Sequence, residues 1–317
     1  MKRKILVTPR SVTEKGHPAM DRLVAAGYEL VMSSPGKLPD EAELIRLLPG
    51  CVGYLAGVER ITARVLESGK DLRVISRNGV GSDAIDKMAA ERLNIRICVA
   101  PGANSRGVAE LAIGLLFALV RALPASDAAL KAAGWKRVQG VELHGRTLGV
   151  IGCGQIGRQT ASIAIGIGMR VLGYDVCRDS AFGPGEGFTF VELDELFSRS
   201  DAISLHCPTR ADGLPLLDRA AIKHLKQGVW LVNTARAGLV DEEAVLEALK
   251  DGSMAGFATD VFSEEPPKDL RLIQHPRVIA TPHIGGFTLE SVSRAVEQAV
   301  ENLLINLRPA GAALHGQ

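Results

Sequence analysis

Aromatic side chains are scarce. Trp, Tyr and Phe make up 4% of the 317 residues, and no basic stripe is interleaved with them, which argues against a base-stacking nucleic-acid surface. Charge of one sign is lacking too: 37 Lys+Arg stand against 36 Asp+Glu, a net charge of +1, so neither nucleic acid nor an acidic membrane has an electrostatic counterpart here. The five cysteines, Cys51, Cys98, Cys153, Cys177 and Cys207, form no C-x-x-C pair and have no histidine at zinc spacing. They read as buried thiols of a reducing compartment, with no metal centre. No apolar run reaches transmembrane length, since LAIGLLFALV is bounded by Glu110 and Arg121, and MKRKILVTPR has too few aliphatics for a signal-peptide core. Low-complexity segments and short repeats are absent. A cytoplasmic protein with a small-molecule partner is expected.

What is present is length and alternation. A chain of 317 residues suits two domains, each able to bury a core. KILVTP, CVGYLA, LRVISRN and IRICVA read as strands, with DEAELIRLL and DAIDKMAAERLN helical between them. Such alternation predicts an α/β fold of parallel sheet with crossover helices. Residues 104–123 are apolar on nearly every side, as a buried helix at a domain junction would be. From Thr147 the alternation restarts with TLGVIG, MRVLGYD, AISLHC, VWLVNTA, MAGFATDV and RVIATP. Residues 126–145, with Trp135, fit neither period and are expected to be an arm or loop for subunit contact. Residues 288–307 read as a terminal helix with the apolar stripe AVEQAVENLL.

One motif carries chemistry on its own. The strand TLGVIG runs into Gly152-x-Gly154-x-x-Gly157, a helix follows, and the next strand ends in Asp175. Gly152 suits a tight turn, Gly154 lets backbone approach a pyrophosphate, Gly157 allows close helix packing, and the helix N-terminal amides receive the anion. Asp175 would accept hydrogen bonds from ribose hydroxyls and repel a 2′-phosphate, favouring NAD over NADP. Arg178, three residues on, is the cation that opposes this preference.

A second group lies beyond strand ends: Arg236 in NTARAG, Asp260 and Glu265 in DVFSEEPP, His283 in TPHIGG, and the loop Asn78, Gly79, Val80, Gly81. An arginine can bind a carboxylate bidentately while facing a developing oxyanion. A histidine backed by a carboxylate can exchange the proton that such an oxyanion needs. Taken singly, Asp260 and Glu265 read as a helix cap and a solvated acid, and His206 as a satisfied core residue or part of a cofactor pocket. Their joint occurrence with Arg236 and His283 favours function.

Together RNGVGSDAID, VAPGANSRGVAE, the glycine fingerprint with Asp175, LHCP, NTARAGLVDEEA, DVFSEEPP and TPHIGG stand in the order and spacing of the D-isomer-specific 2-hydroxyacid dehydrogenases. The chain resembles that family from about Val52 to Ala299, as a phosphoglycerate dehydrogenase-like member without a regulatory domain. The resemblance implies a Rossmann NAD-binding domain, residues 103–286, inserted into a flavodoxin-like substrate domain, residues 1–102 and 287–317, with the active site in the cleft between them and a homodimer as the assembly. It implies that Arg236 holds the substrate carboxylate, that His283 is the acid/base paired with Glu265, and that Asp260 holds the nicotinamide carboxamide. The amides of Asn78, Gly79, Val80 and Gly81 would cradle the substrate carboxylate. Further NAD contacts are implied for Gly152, Gly154, Gln155, Ile156, Gly157, Asp175, Cys207, Thr234, Ala235, Arg236, His283, Gly285 and Gly286.

The implied activity is NAD-dependent interconversion of a small 2-oxo acid and its D-2-hydroxy acid, of the 3-phosphoglycerate, glyoxylate or hydroxypyruvate class. Arg77 before the substrate loop suits phosphoglycerate, whereas Ala56 stands where such enzymes often carry another arginine. Glu265 argues against a formate dehydrogenase, which has glutamine there, and Val80 against a phosphite oxidiser, which has lysine. Relatives that act as NAD-sensing corepressors keep the same catalytic residues, and weak turnover would mark that alternative. The chain departs from the family at Ala237, usually glycine, at Val99, often asparagine, and in HCPTRADGLPLLD, which lacks the usual threonines.

Overall fold

The computed structural model describes residues 3–135, 137–179, 181–183 and 185–308. The chain divides into two compact units, Met1–Asn104 with Thr288–Gln317, and Ser105–Phe287.

The first unit begins with β1 (Lys4–Val7), α1 (Arg10–Lys15), α2 (Met20–Ala25), β2 (Glu29–Met32), α3 (Glu41–Leu47), β3 (Cys51–Ala56), α4 (Ala63–Ser68), β4 (Val74–Arg77), α5 (Lys87–Arg92) and β5 (Arg96–Cys98). All its strands are parallel, in the order β2-β1-β3-β4-β5, which is the flavodoxin-like doubly wound order. The central strand β3 is buried at every residue, as a strand covered by helices on both faces must be. The short helices are delimited by side-chain caps. Asp40, Thr62 and Asp86 accept the amides of Glu43, Val65 and Ala89, each cap contributing about 1 kcal/mol. The strand pattern of the sequence misses β2, ELVM, because this edge strand has no fully buried residue and hence no strong apolar signature.

The second unit comprises α6 (Ser105–Val120), α7 (Leu123–Lys131), β6 (Thr147–Ile151), α8 (Gln155–Gly166), β7 (Arg170–Tyr174), β8 (Phe188–Phe190), α9 (Leu193–Arg199), β9 (Ala202–Leu205), α10 (Arg219–Lys223), β10 (Val229–Asn233), α11 (Glu242–Asp251), β11 (Met254–Thr259) and β12 (Val278–Ala280). Its seven strands are parallel in the order β12-β11-β10-β9-β6-β7-β8. This is the Rossmann order extended by one strand, with the topological switch between β6 and β9. The long apolar helix α6 buries Ala112, Leu115 and Leu116 in one cluster with Leu148, Val150 and Val232 of this sheet. Residues 126–145, expected as an arm or loop, open inside a helix instead, because α7 continues to Lys131. None of the residues of α7 is buried, so its apolar positions follow no core-facing period.

The chain then returns to the first unit as α12 (Leu289–Leu307), capped by Thr288, whose side chain accepts the Ser291 amide. Val296, Val300, Leu303 and Leu307 pack on Ile5, Val7 and Leu55. Each such buried side chain is worth roughly 1.5–3 kcal/mol over an exposed one, which ties the end of the chain to its beginning.

Candidate active site

The fully buried strand β6 delivers the chain to Gly152, and α8 starts three residues later. Gly152 has φ +92°, and a Cβ there would meet the backbone of His206 and Cys207 within 2.7 Å. At Gly157 a Cβ would lie 1.9 Å from the Gly152 carbonyl oxygen. Only glycine fits either position. A Cβ on Gly154 would meet nothing within 4 Å, and Gly154, as N-cap, offers the helix no side-chain acceptor. The first amides of α8, including those of Gln155 and Ile156, are therefore placed to receive an anion, which is what a pyrophosphate requires.

Asp175 follows β7 and stands against this turn, its Oδ2 accepting the Cys153 amide at 2.6 Å and its Oδ1 the Cys177 amide at 2.8 Å. Arg178 is held away by acceptors of its own. Its Nη2 donates to Glu192 Oε1 at 2.6 Å and to Val191 O at 3.0 Å. Arg158, on the first turn of α8, pairs with Asp179 at 2.8 Å. His206 is half-buried and hydrogen-bonded through Nε2 to Ser204 Oγ at 2.8 Å, with its Nδ1 buried without a partner among the described residues; burial pushes its pKa down to about 3, so it stays neutral at working pH. Burial likewise pushes the Cys207 thiol up to about 11, which leaves it no nucleophilic thiolate near neutrality.

Arg236 stands on the turn after β10, and Asn233 builds that turn. Asn233 Nδ2 donates to Arg236 O at 2.9 Å, while its Oδ1 accepts the Ala235 amide at 3.0 Å. The guanidinium donates to Ala235 O at 2.7 Å, and the residue is exposed. Thr234 and Ala235 are buried behind it. Ala237 opens a 3-10 turn, Ala237–Leu239, and is not among the residues with positive φ. Nothing in the backbone demands glycine there, so this departure from the family motif leaves the presentation of Arg236 intact.

The turn after β12 carries His283, a non-glycine residue at φ +54°. Such a conformation persists only where its surroundings overdetermine it. The buried Asp260, just beyond β11, does so: its Oδ1 accepts Thr281 Oγ1 at 2.6 Å and the Ile284 amide at 2.8 Å, and its Oδ2 accepts the Gly285 amide at 2.7 Å. Asp260 thus grips the chain on both sides of His283, a task that its reading as a carboxamide anchor did not include. Gly285 is buried, and a Cβ on it would come within 3.0 Å of Asp260 Oδ2. His283 Nδ1 lies 2.9 Å from both carboxylate oxygens of Glu265. The neighbouring Glu264 pairs instead with Lys268 at 2.5 Å, so geometry separates the two adjacent acids.

The loop Asn78, Gly79, Val80, Gly81 belongs to the first unit and lies beyond the carboxyl end of β4. It is pinned by bonds from Asn78 N to Ala56 O at 2.8 Å and from Ala100 N to Gly79 O at 2.9 Å. Three residues that the motifs did not single out prove to brace the second unit's site: Asn233 behind Arg236, Thr281 beside His283 and Glu192 on Arg178. Of these Asn233 and Thr281 had a sequence signal, their places in NTAR and TPH, and Glu192 had none.

A model of the D-isomer specific 2-hydroxyacid dehydrogenase NAD-binding domain matches residues 113–285. The chain belongs to this family. It is 38% identical over 274 residues to a protein named hydroxypyruvate reductase from Thermotoga maritima, covering 84% of this chain and 89% of the relative. It is 39% identical to D-3-phosphoglycerate dehydrogenase from Rattus norvegicus over 81% of this chain but 49% of that protein, so it spans about half the length of such relatives. Among solved structures, D-lactate dehydrogenase from Aquifex aeolicus in complex with NAD and lactic acid superposes with a TM-score of 0.79 at 29% identity, covering 95% of each chain. NAD is the cofactor of the family's domain, and the open backbone beside Gly154, the uncapped α8 and the placement of Asp175 fit it.

Proposed function

We propose that the protein is an NAD-dependent reductase of small 2-oxo acids to D-2-hydroxy acids, running also in reverse, with hydroxypyruvate and glyoxylate as its substrate class. The observation that carries this reading is the His283 imidazole, set by Glu265 on a turn gripped by Asp260, in the same unit as Arg236 and the glycine turn. The 38% identity to the protein named hydroxypyruvate reductase, over 89% of that relative, supports the substrate class.

Bound NAD supplies or takes up the hydride at the substrate C2. Arg236 binds the carboxylate and faces the carbonyl oxygen, where its charge counters the oxyanion that develops. Glu265 holds Nδ1 of His283 and supports the imidazolium, so that Nε2 donates the proton to that oxygen and retrieves it in the reverse direction. The test is NADH oxidation by the purified protein across a panel of 2-oxo acids. Rapid turnover of hydroxypyruvate or glyoxylate is expected, and NADH binding without turnover on any acid of the panel would overturn the reading.

NADH is the preferred coenzyme, because Asp175 meets the ribose hydroxyls and Arg178 is engaged by Glu192. A preference over NADPH of about 10² in kcat/KM is expected from the like-charge contact with a 2′-phosphate. Glu192→Ala frees Arg178 and should narrow it; an unchanged ratio would count against this role of the pair.

The assembly is a homodimer formed through α7 and the segment after it. Leu123 and Leu130 are exposed there and Trp135 is 85% exposed, an apolar surface of the kind that a second copy covers. Ultracentrifugation should give twice the chain mass, and Leu130→Glu should shift the species to monomer; a monomeric wild type would refute the assembly.

A further inference from the structure

Arg158 stands on the first turn of α8, where the positive end of a helix disfavours a cation. An arginine there needs partners that outweigh this repulsion, and it has three. Its Nε donates to Cys153 O at 2.8 Å, its Nη2 pairs with Asp179 at 2.8 Å, and its Cζ lies 4.9 Å from the centre of the Phe182 ring. None of the roles above uses these contacts as a set.

Each partner belongs to the setting of Asp175. The Cys153 peptide is held from both sides, because its N–H donates to Asp175 Oδ2 while its carbonyl accepts from Arg158. Asp179 and Phe182 lie on the connection from β7 to β8, which begins at Asp175. Asp179 Oδ1 accepts the Ala181 amide at 2.9 Å, and that amide first, then Arg158, holds the carboxyl below its usual range and so ionised. Phe182 meets Phe188 edge to face at 5.0 Å, and Phe188 meets Phe190 likewise at 4.8 Å. Phe188 is seated on β7 at Gly173, where a Cβ would come within 2.4 Å of its ring. Three of the chain's eight phenylalanines thus form one row that ends on the Arg158 guanidinium, and this row fastens the connection to the sheet.

We propose that Arg158 positions Asp175 for coenzyme recognition: by joining the Cys153 carbonyl to Asp179 and Phe182, it fixes the glycine turn and the connection after β7 on either side of the carboxylate that meets the adenosine ribose. The inference rests on the role given to Asp175 above and extends it to a residue that acts through it. A carboxylate held in place before the coenzyme arrives accepts the ribose hydroxyls without first being ordered, and it stays where it repels a 2′-phosphate. Releasing Arg158 therefore weakens NADH more than NADPH. Loss of a direct contact between Arg158 and the pyrophosphate would weaken both alike, or NADPH more, since both coenzymes share that group and NADPH carries the larger negative charge.

The test is fluorescence titration of the full chain with NADH and with NADPH, without substrate, in the wild type and in R158M, R158K, D179N and D175N. R158M should raise Kd for NADH about tenfold, the worth of one charge-assisted hydrogen bond, and narrow the ratio of the two Kd values at least about threefold. R158K should follow R158M, because a single ammonium cannot replace the fork that reaches Cys153 O and Asp179 together. D179N should narrow the ratio about twofold, and at its half-exposed position it decides alone if R158M does not fold. Equal losses for both coenzymes in R158M, wild-type affinities in R158K, or an unchanged ratio in D179N overturn the proposal alone, provided that D175N narrows the ratio. A ratio unchanged in D175N overturns the role of Asp175 and the proposal with it.

Discussion

Replacing His283 with asparagine should lower kcat/KM for 2-oxo acid reduction by ~10²- to 10⁴-fold, the usual worth of a positioned proton donor, or about 3–5 kcal/mol of transition-state stabilisation. Asparagine is the cleaner replacement because His283 sits at φ +54°, a region that asparagine tolerates better than alanine. The side chain is 54% exposed, so the thermal midpoint should move little. Glu265→Gln should fall between this variant and the wild type, since glutamine keeps an acceptor for Nδ1 but withdraws the charge that supports the imidazolium. Steady-state rates beside a thermal melt check both variants. Near-normal turnover in His283→Asn would remove the acid/base assignment.

Arg236→Gln should cost about 10²- to 10³-fold in kcat/KM, the loss seen when one oxyanion donor is removed, with a raised KM because the carboxylate anchor goes too. Lysine should not restore the rate, for an ammonium cannot bind the carboxylate bidentately while facing the carbonyl oxygen. Folding should persist, because the turn is closed by Asn233 and the guanidinium lies outside the core. If Arg236→Lys kept wild-type KM and kcat, the bidentate role would be wrong.

Much of the framework is legible along the chain. Alternation of apolar runs with helical periods predicts parallel sheets, and both sheets are parallel throughout. The glycine fingerprint is legible because its demands are local: a positive φ at Gly152 and a backbone contact at Gly157 admit no other residue. What escapes is structure without a core-facing pattern. The edge strand β2 and the solvent-facing α7 carry too little burial to print a period on their residues. The adjacent acids are separable in the sequence, since Glu265 stands five residues after Asp260 and directly before Pro266, and the folded loop gives it His283 while Glu264 takes Lys268.

The sequence by itself determined the fold class, the cofactor turn, and the identity of Arg236, Glu265 and His283 as the residues to watch, because each depends on residue type and spacing within short stretches. Only the tertiary structure decided that Asp260 clamps the turn of His283, that Glu192 engages Arg178, that Ala237 needs no glycine, and that Glu59 lies buried with one oxygen unpaired among the described residues. These are statements about which donors and charges meet across tens of residues. Hydrogen bonds and Coulomb interactions depend on distance in space, and that distance exists only once the strands have been laid side by side.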